Sequence, residues 1–241
     1  NVAFHLAKAF TDAKDIDLVQ RYSRSYKNDD LFDDNIPKTN SLDALTKADI
    51  YVIAINDDQI ATFSKQLTLS DGLVVHTSGS IPLEALQCKA NKGVFYPLQT
   101  FSKDQEMEYK HIPICIETEI ENDFDKLKYL GKAFSDNVYE INSQQREKLH
   151  LAAVFANNFS NYMFKVSKDI CDENNFSFEI LKPLIEETSQ KIKTIAPIEA
   201  QTGPAKRNDQ KVIKKHLSQL KGDQNEIYGL ITKSIIDTYN K

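Results

Sequence analysis

The stretch that decides the fold is Asn1-Val2-Ala3-Phe4-His5-Leu6-Ala7-Lys8-Ala9-Phe10, where apolar residues recur at helical spacing. Ala3 stands where the turn G-x-G-x-x-G/A of a dinucleotide-binding unit has its third, small residue. We therefore expect a first strand and a Gly-rich turn to precede Asn1, and we expect Asn1 and Val2 to contact the dinucleotide. An ordinary amphipathic helix is the alternative for these ten residues taken alone.

The next predicted strand, Ile16–Tyr22, is followed by Ser23-Arg24-Ser25. In a dinucleotide-binding fold the end of the second strand meets the adenosine ribose. An acidic residue there binds the 2′-OH of NAD, whereas an arginine accommodates the 2′-phosphate of NADP. Guanidinium and hydroxyl donors suit a phosphate. The pattern predicts that Ser23, Arg24 and Ser25 bind NADP, although such a tripeptide is commonly a surface turn.

Predicted strands and helices alternate over the first 140 residues or so. The alternation favours an α/β fold with a Rossmann-like, mostly parallel sheet over residues 1–142, whose first strand is missing. Its remaining strands are expected at Ala48–Ile55, Gly72–Val75, Gly93–Tyr96, Ile112–Glu117 and Val138–Ile141.

Polar loops follow the expected strands at the edge where open α/β sheets bind ligands. Ile55-Asn56-Asp57 and Thr77-Ser78-Gly79 are predicted to line the dinucleotide, and Asn56 can also simply cap the next helix. His76 and Gln99 are candidate substrate contacts.

Residues 143–241 contain helical patterns and predict a separate all-helical domain for substrate binding or dimerisation. Its first helix, Ser143–Cys171, is apolar nearly all round, so we expect it to be buried on most sides. Helical geometry places His150, Asn157 and Asn161 in one narrow arc, with Arg146 beside them. Two interpretations stay open: a structural network to neighbouring helices or a second subunit, or a surface that meets substrate.

Arg207 lies in a loop with a Gly203-Pro204 turn, before Asp209 at the start of a further helix. It is a candidate clamp for a substrate carboxylate, with pairing to Asp209 as the alternative.

Composition excludes several classes of function. The net charge of −5 and the pI near 5.6 argue against a general nucleic-acid or anionic-membrane binder, and the sequence has no spanning apolar segment. Cys88, Cys115 and Cys171 form no CxxC pair, so a reducing cytoplasm is expected. The five histidines lack metal-ligand spacing, and no metal site is predicted.

The chain resembles a bacterial family of candidate NADP oxidoreductases, which have an N-terminal Rossmann-like domain and a C-terminal helical domain of unknown function. The family looks related to pyrroline-5-carboxylate reductase, ketopantoate reductase and deazaflavin-dependent NADP oxidoreductase. The resemblance implies NADP(H) binding and a homodimer formed through the helical domain. The stretches that carry it are Asn1–Ala3, Tyr22–Ser25, His76–Ser80, Tyr96–Phe101, His150–Asn158 and Thr202–Asp209.

We therefore expect hydride transfer between NADP(H) and a small C=N or C=O substrate at the cleft between the two domains. His150, Asn157 and Asn158 are the predicted catalytic residues, which orient the substrate or relay a proton. Some relatives carry a lysine in this helix with an asparagine one turn later, a spacing that His150 and Asn157 do not keep. The alternative function is a non-catalytic NADP(H) sensor or scaffold that dimerises through its helices.

Overall fold

A computed structural model of the chain describes residues 1–25, 36–102, 106–133 and 135–240. Residue contacts divide the chain into two compact units, Asn1–Asn158 and Phe159–Lys241. This division falls inside the long helix. The change in sequence character instead placed the domain boundary at the start of that helix, between residues 142 and 143.

The first unit contains a five-stranded sheet that confirms the predicted mostly parallel, Rossmann-like architecture. Adjacent strands are parallel except for one antiparallel pair, β5 with β6. The carboxyl ends of β3, β4 and β5 therefore lie at one edge, which is called the carboxyl edge below. In order across the sheet the strands are β3 (Ile50–Ile53), β4 (Leu73–His76), β5 (Asn91–Pro97), β6 (Ile114–Thr118) and β7 (Val138–Glu140).

Helices cover both faces of this sheet, and the alternation of strand side chains sends apolar residues to each. Leu73 and Val75 pack on one face with Leu6 of α1 (Val2–Asp12) and Leu127 of α3 (Phe124–Lys132). On the other face, one cluster includes Val74 and α2 (Ile60–Ser64). A further cluster there joins Tyr96 and Cys115 to Leu149 of α4 (Ser143–Ala153).

The strand predicted at Ile16–Tyr22 is much shorter in the structure. Only β1 (Arg21–Tyr22) forms a ladder, parallel to β2 (Lys38–Thr39). Within the described ranges residues 16–20 pair with no strand, yet Ile16 and Leu18 still pack against the core cluster beside α1. The predicted strand is thus found only at Arg21–Tyr22, and the residues before it pack against the core without pairing to any described strand.

From residue 143 to residue 240 every regular element is helical, as predicted. A capping box between Asn142 and Gln145 begins α4, which continues as a π-helical segment, Val154–Phe159. The helices of the second unit are α5 (Ser160–Glu173), α6 (Lys182–Lys191), α7 (Pro197–Ala200), α8 (Gln210–Leu217) and α9 (Gly222–Tyr239). In the described part of the chain, no helix is both long and apolar enough to cross a membrane.

The prediction that the long helix is buried on most sides is wrong for the single chain. Leu151 and Phe155 are 53% and 63% exposed, and Phe159 and Tyr162 are also exposed. These four residues follow one another at intervals of four, four and three positions. An apolar helix pattern shows that a surface is suited to burial, but it does not distinguish the chain's own core from a partner.

Candidate active site

A buried ion pair attaches α4 to the sheet. Arg146 is 1% exposed, and its Nη1 donates to Oε2 of Glu117 on β6 at 2.5 Å. Its Nη2 donates to the Ile81 carbonyl at 2.6 Å and to the Ser143 hydroxyl at 3.1 Å. The Ser143 hydroxyl in turn donates to Glu117 at 2.7 Å. These bonds balance the buried charges and fix both the rotation of α4 and its position along the sheet.

The strand register shows why this attachment matters for the residues one helical turn later. His76 pairs with Val94, which pairs with Glu117, so the three form a row across β4, β5 and β6. Four residues along α4 advance about 6 Å, and two residues along β5 advance about 7 Å. With Arg146 held over this row, His150 is therefore brought level with Tyr96, two residues beyond Val94.

Tyr96, His150 and Gly79 come together at the carboxyl edge. The Tyr96 hydroxyl lies 3.0 Å from Nδ1 of His150, and the two rings meet edge to face. A Cβ added to Gly79 would lie 2.6 Å from His150 Nδ1 and 2.8 Å from Tyr96 Cζ. Only glycine leaves room for this contact, which explains why glycine stands at this position of the Ser-Gly-Ser turn.

The environment of Tyr96 keeps its phenol protonated at neutral pH. Burial raises the pKa of Tyr96 to about 12, and the nearby Cys115 and Asp57 act in the same direction while Arg146 opposes them. His150 is only partly buried. The pair therefore has a buried hydroxyl on one side and an imidazole that reaches the surface on the other.

His76 is completely buried, which argues against its predicted contact with substrate. The Ser78 N–H donates to its Nδ1 at 3.2 Å, so the neutral ring carries its proton on Nε2. Among the described residues this Nε2 has no hydrogen-bond partner. Burial, together with the charge of Arg146, lowers the pKa of His76 to about 4, while the Pro82 backbone and Glu117 oppose the shift. The imidazole is thus a neutral part of the packing beneath the loop.

The loops after β3 and β4 are joined by Ser78 and Asp57. The Ser78 hydroxyl donates to Asp57 Oδ2 at 2.8 Å and accepts from the N–H groups of Ser80 and Ile81, each at 3.1 Å. Its single proton is therefore already used, and Ser78 shapes the loop rather than offering a free donor. Asn56 makes no side-chain cap, because the loop is organised around Asp57 instead.

The structure places the remaining predicted dinucleotide contacts around the same edge and at the end of β1. Asn1 donates to the Phe101 carbonyl at 2.8 Å, so α1 begins beside the segment that follows β5. Ile55, Asn56 and Thr77 follow β3 and β4, and Thr77 bonds the Ile53 carbonyl at 3.5 Å. Ser23, Arg24 and Ser25 follow β1, and Val2 is the first residue of α1.

No described contact joins His150 to Asn157, to Asn158 or to the remaining substrate candidates. Asn157 and Asn158 are exposed within the π-helical segment, whose wider turn shifts the angular register that an α-helix would have kept. Gln99 is exposed and accepts from the Thr100 N–H. Arg207 belongs to the second unit and is exposed, while Asp209 caps α8 through the Val212 N–H.

Comparison with known proteins assigns the chain to a family. A family model described as a domain of unknown function, DUF2520, matches residues 112–235. The chain belongs to the DUF2520 family.

Solved structures similar to this DUF2520 protein extend the likeness over the whole chain. A candidate NADP oxidoreductase from Bacteroides fragilis is 35% identical, with a TM-score of 0.86 and coverage of 98% of this chain and 95% of that one. A Thermotoga maritima protein is 20% identical, with a TM-score of 0.76 and coverage of 98% and 96%. Pyrroline-5-carboxylate reductase from Streptococcus pyogenes is 13% identical, with a TM-score of 0.65 and coverage of 100% of this chain and 95% of that one.

The latter two similarities concern the fold alone. They confirm the expected relation to pyrroline-5-carboxylate reductase at that level, whereas the relation to ketopantoate reductase stays a prediction. No curated protein sequence shows significant similarity to the chain.

Sequence reasoning missed Tyr96 and Glu117 as parts of the site and named Arg146 only as a neighbour of His150. A glutamate in the otherwise apolar run Ile112–Glu117 was an available signal, because a buried carboxylate needs a cationic partner. Tyr96 gave no such signal, since an aromatic residue in a buried strand is usually core.

The buried His76 predicts a pH dependence of stability in this DUF2520 protein. The ordinary pKa of 6.5 is lowered to about 4 in the fold, so between these values the unfolded chain binds more protons. The free energy of unfolding should therefore fall as the pH falls through this window, by about 2 kcal/mol between pH 7 and pH 5. Urea unfolding at a series of pH values measures it.

A matched pair of variants isolates this contribution. His76→Asn removes the titrating ring and keeps an acceptor for the Ser78 N–H, so the pH dependence should become shallower. His111→Asn removes a histidine whose side chain is 69% exposed, and it should retain the wild-type dependence. Identical pH profiles for the wild type and His76→Asn would show that His76 is not held neutral by the fold.

Proposed function

We propose that the protein is an NADP(H)-dependent oxidoreductase that transfers hydride to or from a small C=N or C=O compound. The similarity over nearly the whole chain to the Bacteroides fragilis candidate NADP oxidoreductase supports the cofactor. The observation that carries the proposal is the His150–Tyr96 pair beside Gly79, at the edge of the sheet where open α/β folds bind ligands.

The residues present fit a phosphorylated dinucleotide. Helix geometry leaves the first N–H groups of α1 without intrahelical partners, and its first turn carries no acidic side chain. Arg24 is exposed after β1, between two serines, and its guanidinium suits the 2′-phosphate. When bound, NADPH would supply the hydride.

His150 is proposed to supply the proton that hydride addition requires. A carbonyl or imine carbon that gains hydride leaves an oxygen or nitrogen that must gain one proton. His150 is partly exposed, and imidazole is the side chain most often used as a general acid or base. When the substrate is oxidised instead, His150 accepts the proton, so one residue serves both directions of the reaction. Asn157 and Asn158 stay proposed substrate ligands on the exposed π-helical turn.

The non-catalytic alternative predicts that the polar residues of the long helix are sealed in packing. Arg146 is sealed, but His150 is partly exposed, and Asn157 and Asn158 are exposed. The partial exposure of His150 favours the enzyme.

Binding and turnover test the proposal together. NADPH should bind more tightly than NADH, because only NADPH offers Arg24 a 2′-phosphate. Arg24→Ala should weaken NADPH binding about 10- to 100-fold and leave NADH binding unchanged. Calorimetric titration measures both, and deuterium transfer from [4-²H]NADPH to 2-methyl-1-pyrroline or pyruvate tests hydride transfer.

A charge-matched control separates phosphate recognition from net charge. Lys89→Ala removes one exposed positive charge at the amino end of β5, on the opposite edge, and should bind NADPH like the wild type. Equal affinity of the wild type for NADPH and NADH, or unchanged NADPH binding by Arg24→Ala, would contradict the phosphate assignment. Absence of deuterium transfer to imine and 2-oxoacid probes would contradict the activity.

We further propose that the protein is a homodimer formed through its helices. Besides the exposed apolar residues of the long helix, Ile180, Leu184 and Leu230 are 69%, 63% and 70% exposed. Large apolar surfaces of this kind are typical of interfaces between subunits.

Sedimentation velocity tests the dimer. The wild type and Lys89→Ala should sediment as dimers at micromolar concentration, whereas Phe155→Asp should sediment mainly as a monomer because a carboxylate would be buried in the interface. A monomeric wild type at about 100 μM, where an interface of standard size is saturated, would rule the dimer out.

A further inference from the structure

We infer that Tyr96 is the positioning residue of His150: its hydroxyl holds Nδ1 and leaves Nε2 as the atom that exchanges protons with substrate. This inference rests on the proposed function and extends it from a residue to an atom. The 3.0 Å contact between the Tyr96 hydroxyl and Nδ1 is the geometric basis. With Nδ1 engaged on the buried side, Nε2 is the remaining nitrogen of the ring.

A phenolic oxygen suits this task because it can accept from Nδ1 in both charge states of the imidazole. Imidazolium carries a proton on each nitrogen, and its Nδ1–H donates to the Tyr96 oxygen. When Nε2 gives up its proton, the neutral ring keeps its proton on Nδ1, and the same bond persists. The ring therefore keeps one orientation while Nε2 loses or gains its proton.

The surroundings keep the phenol itself out of the proton exchange. Tyr96 is buried against Cys115 and Leu149, and its raised pKa, about 12, keeps it protonated at neutral pH. Burial likewise raises the pKa of the Cys115 thiol to about 11, so this neighbour stays neutral.

The pair is held from three sides. Tyr96 is fixed by β5, and His150 follows Arg146 on α4 by one turn. Gly79 closes the third side, because any Cβ there would overlap both His150 and Tyr96. The charged or titratable groups that act on Tyr96 are Arg146 on α4, Asp57 in the loop after β3 and Cys115 on β6, while Glu147 and Lys148 are exposed on α4 itself.

The proton balance of the proposed step is simple. When bound, the cofactor would supply hydride to the C=N or C=O carbon, and the Nε2–H bond of the His150 imidazolium would break as the new N–H or O–H bond forms. His150 then regains its proton from solvent at the same nitrogen. Tyr96 neither gains nor loses a proton over the cycle, which is why its role is positioning.

A double-mutant cycle tests the inference through turnover. Tyr96→Phe should lower kcat about 10- to 100-fold and leave the KM for NADPH within about twofold, because the phenol affects proton transfer and not cofactor binding. In a His150→Gln background the same change should alter kcat less than twofold. Tyr228→Phe is the matched control, since Tyr228 makes the same kind of bond to His216 Nδ1, at 2.8 Å, in the second unit. It should retain wild-type turnover.

Imidazole ¹⁵N NMR on the free protein supplies a readout that needs no substrate. The Nδ1 resonance of His150, assigned by its loss in His150→Gln, should shift in Tyr96→Phe and stay unchanged in Tyr228→Phe. If the wild type turns over no imine or 2-oxoacid, the proposed function is wrong, while the NMR comparison still decides whether Tyr96 holds His150. An unshifted Nδ1 resonance, or equal effects of Tyr96→Phe with and without His150, would overturn the inference.

Discussion

The buried pair of Arg146 and Glu117 is the interaction on which the candidate site depends. Removing one partner of such a pair typically costs about 3–5 kcal/mol, because the other charge is left buried. Ser143 and the Ile81 carbonyl add further hydrogen bonds to the pair, although Arg146 Nε has no partner among the described residues. The pair therefore sets the position of α4 more sharply than apolar packing alone would, and His150 is placed as a consequence.

The same constraint explains why the site combines a rigid and an accessible part. Tyr96, His76 and Gly79 sit in the packed layer between the sheet and α4, where a change of one methyl group is felt. His150 stands at the boundary of this layer, partly exposed and with Nδ1 in contact with the Tyr96 hydroxyl. A group that must keep its orientation while it exchanges protons requires this arrangement.

Much of the fold could be predicted from the sequence, because its signals are local: buried parallel strands, helix periods and turn residues. The site was predicted less well, for reasons that particular residues show. His76 follows a strand at the ligand-binding edge, but sequence alone does not reveal that a loop and Arg146 cover it. The arc linking His150 to Asn157 failed because nothing in the pattern marks the π-helical turn. The apolar long helix was expected to be buried within its own chain, whereas its exposed residues suit contact with a second copy of the chain.

The most direct test of the central claim is a crystal structure of the Arg146→Met/Glu117→Gln double variant, which removes the ion pair without leaving a buried charge unpaired. If the pair positions α4, the separation between the Tyr96 hydroxyl and His150 Nδ1 should exceed hydrogen-bond range, about 3.5 Å. A separation that stays at the 3.0 Å of the wild type would show that packing alone places His150, and would contradict the account.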